Sequence, residues 1–259
     1  MANAFSFSET EILAFAMVLL RVGSFVAVWP IFGTPSVPTP IKVLLALTLA
    51  FLLVPAINWK ASEPAMLTNH VVWMALKEAS VGLMLGFLCR LYFFAVSIGG
   101  QIISVSMGLS NAQILNPSLG DRGSSVEQFE VALATLIFLA MNGHHMFISG
   151  LVQSFEVFPM HALAMSFKSF SQFGSVVQEI VVVGTKIASP VLIAILFMNL
   201  SMGIVGRAVP QINVLITSLP VNILVGFLVL IVSVPLFVSE MDSLLTVMAE
   251  RLFAFMKGL

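Results

Sequence analysis

The sequence predicts an all-α fold, a membrane-complex subunit of long kinked helices and helical hairpins. Of its 259 residues, 59% are hydrophobic and 9% are charged, whereas soluble domains carry about 25% charged residues. Several stretches approach or exceed about 20 apolar residues, the length that crosses a hydrocarbon core of about 30 Å. We therefore expect an integral membrane protein or a subunit buried among similar subunits.

Charge and motif content exclude several classes of function. The net charge of −1 offers no basic field for nucleic acid. The opening residues MANAFSFSETE are acidic where a secretory signal would be basic, so we expect the first apolar segment to insert as it stands. The chain has no Walker A sequence, GxGxxG, nucleophile elbow or HExxH motif. We expect no enzyme activity and no cofactor.

A metal site is not expected either. Cys89 is the only cysteine, and the adjacent histidines His144 and His145 would point about 100° apart on a helix. Such a pair cannot chelate one ion as an i, i+4 pair does.

The first helices follow from local signals. Ser8 and Glu11 have the spacing of a capping box, and the helix that they open continues to about Trp29. A second helix is predicted from Thr39, where proline follows at the first helical position, to Val54. Both are long enough to be plausible membrane spans.

A single long helix is predicted over residues 71–107. At 1.5 Å per residue it extends roughly 55 Å, which exceeds the bilayer core. We expect it to bend, tilt or project beyond the lipid, and Gly99-Gly100 is the place where it would bend.

Residues 107–123 predict an ordered loop, because they combine glycines, asparagines and a proline without a helical apolar stripe. Ser124 with Glu127 offers a capping box for the next helix, which is predicted to fade near Phe158.

The last third of the chain predicts a helical hairpin. Apolar runs at 176–200 and 214–239 flank residues 201–213, which hold two glycines, a proline and two amides. Glycine and proline interrupt regular backbone, so we expect a tight turn with Arg207 at its tip. Residues 243–259 predict a separate amphipathic helix.

Six charged side chains interrupt the apolar helices. Each costs about 2.5–3.5 kcal/mol on membrane insertion, so each needs a partner on another helix or another chain. Structural ion pairs are the favoured interpretation, and an ion or proton relay is the alternative. The six are Arg21, Lys77, Glu78, Arg90, Glu179 and Lys186.

The stretch GRAVPQIN at 206–213, preceded by Pro190 and Asn199, resembles the signature of the FliR family, the export-gate component of flagellar type III secretion. Asn116 stands where members of that family often have aspartate. Further matches are Arg21 with Pro30, Phe32 and Gly33; Pro38; Lys77-Glu78 with Gly82 and Gly86; Gly99-Gly100-Gln101; Met107-Gly108; Asn116-Pro117; and Asn142-Gly143-His144.

The resemblance implies an assembly with other proteins. In this family one FliR-like chain joins five FliP-like and four FliQ-like chains in a closed, spiral core complex, and FlhB and FlhA are expected neighbours. Residues 1–170 would be FliP-like, and residues 171–259 would form a FliQ-like hairpin with the amphipathic helix. The complex would belong to the flagellar basal body at the bacterial inner membrane, largely above the membrane plane.

The resemblance also implies site residues. The loop at 107–123 would be a plug that closes the export channel, and the hairpin tip would lie at the cytoplasmic entrance. The six buried charges would lack partners within the chain and would form contacts between subunits. The plug residues are Met107, Leu109, Asn111, Ile114, Asn116 and Pro117, and the entrance residues are Arg207, Pro210 and Gln211.

The leading interpretation is a non-catalytic gate subunit of a protein-conducting channel for unfolded flagellar proteins. The proton motive force and an ATPase elsewhere in the apparatus would drive export, and the plug would move aside to open the channel. The alternative is a secondary ion-coupled transporter in which Glu78, Lys186 and Arg207 bind or relay ions. An intramembrane enzyme has no catalytic constellation to support it.

Overall fold

The computed structural model describes residues 8–33, 37–62, 71–109, 124–160, 170–211 and 213–258. Within these ranges the chain is helical and contains no strand, so the predicted all-α fold is confirmed. Two single-turn 3-10 helices cover Val54–Ala56 and Trp59–Ser62. The α-helices are α1 (Glu9–Val28), α2 (Thr39–Leu53), α3 (Val71–Met107), α4 (Ser125–Ala140), α5 (Gly143–Val157), α6 (Phe170–Ala208) and α7 (Val214–Gly258).

Five of the described helices are long and apolar enough to cross a membrane, and α4 with α5 would make a sixth if the broken pair forms one span. The stretches that qualify alone are Glu9–Val28, Thr39–Ala56, Val71–Met107, Gly174–Ala208 and Ile216–Arg251.

The chain divides into two compact units whose segments interleave along the sequence. Unit 1 comprises Met1–Leu91, Asn142–Gly174 and Val247–Leu259, and unit 2 comprises Tyr92–Met141 and Ser175–Thr246. The predicted boundary at residue 170 concerns likeness to FliP and FliQ, which compactness does not test, and it stays a prediction.

Unit 1 is held by close packing of α1 against α3. Ser8 and Glu11 form the predicted capping box, in which the Glu11 amide donates to Ser8 Oγ at 3.2 Å and the Ser8 amide donates to Glu11 Oε2 at 2.9 Å. Two glycines of α3, Gly82 and Gly86, face α1, and a β-carbon at Gly86 would lie 2.8 Å from the Phe25 carbonyl oxygen. Small residues at these positions let the two helix backbones approach.

Unit 2 has a core to which α3, α4, α6 and α7 all contribute. Helices α3 and α6 approach closely, because a β-carbon at Gly99 would lie 3.1 Å from the Gly184 carbonyl oxygen. The buried core residues are Ile103, Met107, Val126, Ala188, Val191, Ile195 and Leu230.

Two helix boundaries differ from the sequence predictions. The helix expected from Ser124 to near Phe158 is broken at Asn142, whose φ of 57° is left-handed and cannot continue a right-handed helix. Conversely, α7 runs unbroken through Pro220 and Pro235, so residues 243–258 are its C-terminal part and not a separate helix. A proline removes one backbone donor, and local adjustment in an apolar helix can satisfy the groups it frees.

Candidate functional site at the end of helix α3 and the hairpin tip

Helix α3 ends at a defined point in the core of unit 2. Met107 is its last residue and is fully buried, and Gly108 follows with a φ of 83°, a left-handed conformation that suits glycine. The Gly108 amide donates to the Val105 carbonyl and the Leu109 amide to the Ser104 carbonyl, both at 3.0 Å. These bonds satisfy two of the last four carbonyls of the helix and fix where the chain leaves it.

The Met107 side chain lies directly against Gly226 of α7. A β-carbon at Gly226 would lie 2.6 Å from Met107 Cγ and 2.7 Å from its sulfur. Any larger residue at 226 would therefore displace a fully buried side chain.

Only the start of the predicted plug is placed by the structure. Met107 is buried in the unit 2 core, and Leu109 packs against that core while partly exposed. The other four predicted plug residues, Asn111, Ile114, Asn116 and Pro117, lie outside the described residues. The plug assignment stays a prediction.

The hairpin between α6 and α7 has a shorter turn than the sequence predicts. Helix α6 continues to Ala208 and α7 starts at Val214, so the turn is 209–213 instead of 201–213. The amide of Ile216 donates to Asn213 Oδ1 at 3.4 Å, at the start of α7. Asparagine can accept such a bond from the free amides of a first helical turn.

All three predicted entrance residues are exposed at this tip. Arg207 lies in the last turn of α6, while Pro210 and Gln211 lie in the turn itself. Their exposure leaves them available to a partner or a passing chain, but their place at a cytoplasmic entrance stays a prediction.

Polar contacts join the two arms of the hairpin. Asn222 of α7 donates through Nδ2 to Asn199 Oδ1 of α6 at 3.0 Å. Lys186 of α6 and Glu240 of α7 are 3.7 Å apart, with the lysine side chain 57% exposed. Because the lysine end is exposed to solvent, the pair is expected to contribute little to stability.

The expectation that Arg21 and Glu78 lack a partner within the chain is wrong. The arginine binds the carboxylate in a two-pronged pair, with Nε to Oε2 at 2.5 Å and Nη2 to Oε1 at 2.9 Å. Both side chains are fully buried. The geometry is that of charge-assisted hydrogen bonds, and the pair neutralises the two charges across α1 and α3.

Lys77 is also satisfied inside unit 1. Its Nζ donates to the carbonyl oxygens of Pro159 and Met160 at 2.7 and 3.2 Å, and it lies 3.6 Å from Glu78 Oε1. Arg21 donates to the Phe158 carbonyl at 2.8 Å, so the cluster ties α1 and α3 to the chain that leaves α5. These three charges therefore have partners inside unit 1, and their role in contacts between subunits stays a prediction.

The other three predicted contact residues have different surroundings. Arg90 is exposed on α3, Glu179 is half-buried on α6, and Lys186 is exposed beside Glu240. Their role in contacts between subunits stays a prediction.

Two of the three residues named for an ion-coupled transporter lie far apart on one helix. Lys186 and Arg207 lie 21 residues apart on α6, about 30 Å along its axis. The carboxylate of Glu78 is already bound by Arg21. Among the described residues, no group of three or more histidine, cysteine, aspartate or glutamate side chains could hold a metal ion.

Sequence reasoning missed a pair of carboxyl groups on α4. Glu127 accepts hydrogen bonds through Oε1 from the Ser97 hydroxyl and, at 3.3 Å, from the Gln101 amide. Glu130, one turn later, is 3% exposed and faces Gly100 of α3. The spacing of three residues places both on one helix face, but only the fold shows that this face is buried.

Residues 12–248 match the family described as "Bacterial export proteins, family 1". Because this match spans nearly the whole chain, the protein belongs to this family of bacterial export proteins. Several relatives carry the name flagellar biosynthetic protein FliR. The relative from Bacillus subtilis (strain 168) is 32% identical over 222 residues, 85% of each chain.

Two further relatives of that name show similar coverage. The Aquifex aeolicus (strain VF5) protein is 30% identical over 236 residues, 91% of each chain. The Escherichia coli (strain K12) protein is 29% identical over 218 residues, 84% of this chain and 83% of the relative. The resemblance to FliR is thus confirmed, and the chain is a membrane-embedded component of the flagellar export apparatus.

Proposed function

We propose that this chain is the FliR-type core subunit of the flagellar export gate. With FliP and FliQ it would form the channel through which unfolded flagellar proteins are exported. The observation that carries this proposal is the family match over residues 12–248, which covers both the helical N-terminal part and the hairpin. The role is non-catalytic, with the proton motive force and an ATPase elsewhere supplying the energy.

The segment at 107–123 is the plug in this proposal. Its start is anchored, since Met107 is fully buried and the helix ends on the left-handed Gly108. Irregular backbone at membrane depth is tolerated where it lines a cavity or is buried in protein. An anchored segment rich in glycine and asparagine suits a closure that moves while the helix holding it stays in place.

The hairpin supplies the remaining features of the gate. Arg207, Pro210 and Gln211 are exposed at its tip and would lie at the cytoplasmic entrance. Its apolar outer faces would pack against sister chains in a complex of one FliR-like, five FliP-like and four FliQ-like subunits, next to FlhB and FlhA. This complex would sit in the basal body at the inner membrane, largely above the membrane plane.

Removal of the plug tests the proposal. In the complex purified from its own membrane, deletion of residues 111–117 should leave assembly intact and make the closed channel leak ions. Replacement of the same seven residues by glycine and serine, which keeps the chain length, should give the same leak. Both variants remove the side chains that would close the passage.

Val209→Ala in the hairpin turn is the matched control, because it alters an exposed residue without touching the plug or the proposed entrance residues. It should leave the resting leak at the wild-type level. If the deletion complex assembles and stays as tight as the wild type, residues 107–123 are not the plug.

A further inference from the structure

Glu130 is a buried acid whose charge is not balanced by any described residue. Its side chain is 3% exposed, and Oε2 has no hydrogen-bond partner among the described residues. The other acid on this helix face, Glu127, accepts bonds from Ser97 and Gln101, yet its Oε2 is likewise buried without a partner. An ionised carboxylate in such a place would be costly.

Positive charge is scarce around this pair. In the described part of unit 2 only Lys186 and Arg207 carry it. Lys186 is exposed and lies beside Glu240, and Arg207 is exposed at the hairpin tip. The polar groups that α3 presents to the α4 acids are the uncharged side chains of Ser97 and Gln101.

A proton is the cation that fits Glu130. Oε2 has less than 1 Å² of exposed surface, so a lysine or arginine from another subunit cannot reach it without separating the helices. A metal ion needs several ligands. Among the described residues, no group of three or more histidine, cysteine, aspartate or glutamate side chains could supply them. A proton needs no room and only one oxygen.

The surroundings of Glu130 connect its protonation to helix packing. A β-carbon at Gly100 would lie 3.0 Å from Glu130 Oε2 and 2.6 Å from Glu127 Cα, so α3 and α4 touch here almost backbone to backbone. Gly100 precedes Met107 by seven residues, about two turns of α3. A charge formed at Glu130 would need solvation, and its Oε2 is buried where the two helices touch.

We propose that Glu130 binds a proton in the closed gate, and that the packing of α4 on α3 depends on that bound proton. Release of the proton would loosen α4 from the part of α3 that holds Met107. This second consequence rests on the proposed plug at 107–123, whereas the proton site itself does not.

Infrared spectroscopy of the intact complex tests the proton site. At neutral pH the wild type should show the carbonyl band of a neutral carboxylic acid, and the band should disappear as the pH is raised. Glu130→Gln, an uncharged residue of equal size, should abolish the band. Glu127→Gln on the same helix face should retain it.

Two results would overturn the proton site. One is a neutral-acid band that survives Glu130→Gln. The other is a wild type that shows no neutral-acid band at neutral pH, since this would mean that Glu130 is ionised in the assembled complex. If Glu130→Gln fails to assemble, Glu130→Asp keeps a carboxyl group and should shift the band, and a band that this variant leaves unchanged would overturn the proton site.

Ion leak measured on the same vesicles tests the coupling to the gate. Leak through the wild type should rise over the pH range in which the band is lost, and Glu130→Gln should stay closed throughout. If Glu130→Gln leaks as the wild type does, the link to the gate is wrong even where the band behaves as expected. An unchanged leak after deletion of 111–117 overturns the plug separately.

Discussion

A guanidinium group buried in an apolar helix bundle needs hydrogen-bond partners, and Arg21 makes four hydrogen bonds. Besides the two bonds to Glu78, it donates to Ser154 Oγ at 3.1 Å and to the Phe158 carbonyl. The Phe155 ring lies under the guanidinium carbon, 4.0 Å from it to the ring centroid. One side chain therefore joins α1, α3 and the end of α5.

Removal of the negative partner should be severe. We expect Glu78→Gln to destabilise the chain by about 3–5 kcal/mol, because it leaves Arg21 as an uncompensated buried charge. Thermal unfolding of this chain within the complex purified in detergent would measure the loss.

Glu156→Gln serves as the control, since Glu156 is exposed on α5 and its loss should change little. Replacement of Arg21 and Glu78 together by methionine should recover much of the lost stability, because apolar packing can substitute for a buried pair. Equal stability of Glu78→Gln and wild type would contradict the structural role of the pair.

What the sequence reveals at this scale depends on distance along the chain. Ser8 and Glu11 are three residues apart, so their capping box could be predicted. Arg21 and Glu78 are 57 residues apart. The free-energy cost of a charge in an apolar helix predicted that each has a partner, but it did not show which residue that partner is. The role of Glu130 required knowledge of which face of α4 is covered.

At the scale of helices, glycine positions decide how closely elements pack. Gly100 lies where α3 and α4 touch. A β-carbon added there would be nearest to Glu127 Cα, a backbone atom that cannot move aside cheaply. Gly203 on α6 has no atom within 4 Å of the corresponding position. The same substitution should therefore act oppositely at the two sites.

We expect Gly100→Ala to destabilise the chain by about 1–3 kcal/mol, as overpacking does. Gly203→Ala should be neutral or stabilising by about 0.5–1 kcal/mol, since alanine favours a helix where space allows. Thermal unfolding of both variants in detergent measures the difference. A Gly100→Ala variant as stable as Gly203→Ala would mean that α3 and α4 pack less tightly than the structure indicates.

Helix existence was easier to predict than helix ends. The bounds of α3 follow from its apolar run, and the structure places it over the same residues. The break at Asn142 was missed, although Asn-Gly is a recognised turn signal, because apolar residues on both sides favour a continuous helix. In α7 the opposite error arose, since residues 243–259 were expected to form a separate helix, whereas one helix runs from Val214 to Gly258.

At the scale of the molecule, much of the apolar surface of unit 2 is not covered by the chain itself. Val232, for example, is 78% exposed. Soluble proteins rarely show such continuous apolar faces, so lipid or other subunits must cover them. Exposed positions on the two hairpin helices include Ile193, Leu196, Phe197, Leu200, Ile204, Leu224, Leu228, Ile231 and Val232.

Mass measurement of the complex from its own membrane shows whether lipid or other subunits cover these apolar faces. We expect one copy of this chain in a heteromeric assembly, because sister chains would cover the faces of α6 and α7. As a comparison, the chain expressed without partners should be recovered in lower yield or as aggregates. A stable lipid-embedded monomer that moves a small solute would instead support the transporter.

The contact of Met107 with Gly226 has a mechanical consequence. The Met107 side chain occupies the space that a side chain at Gly226 would fill, so the last turn of α3 packs tightly against the middle of α7. A force applied to α7 would be transmitted through this contact to Gly108, where the chain leaves the regular helix.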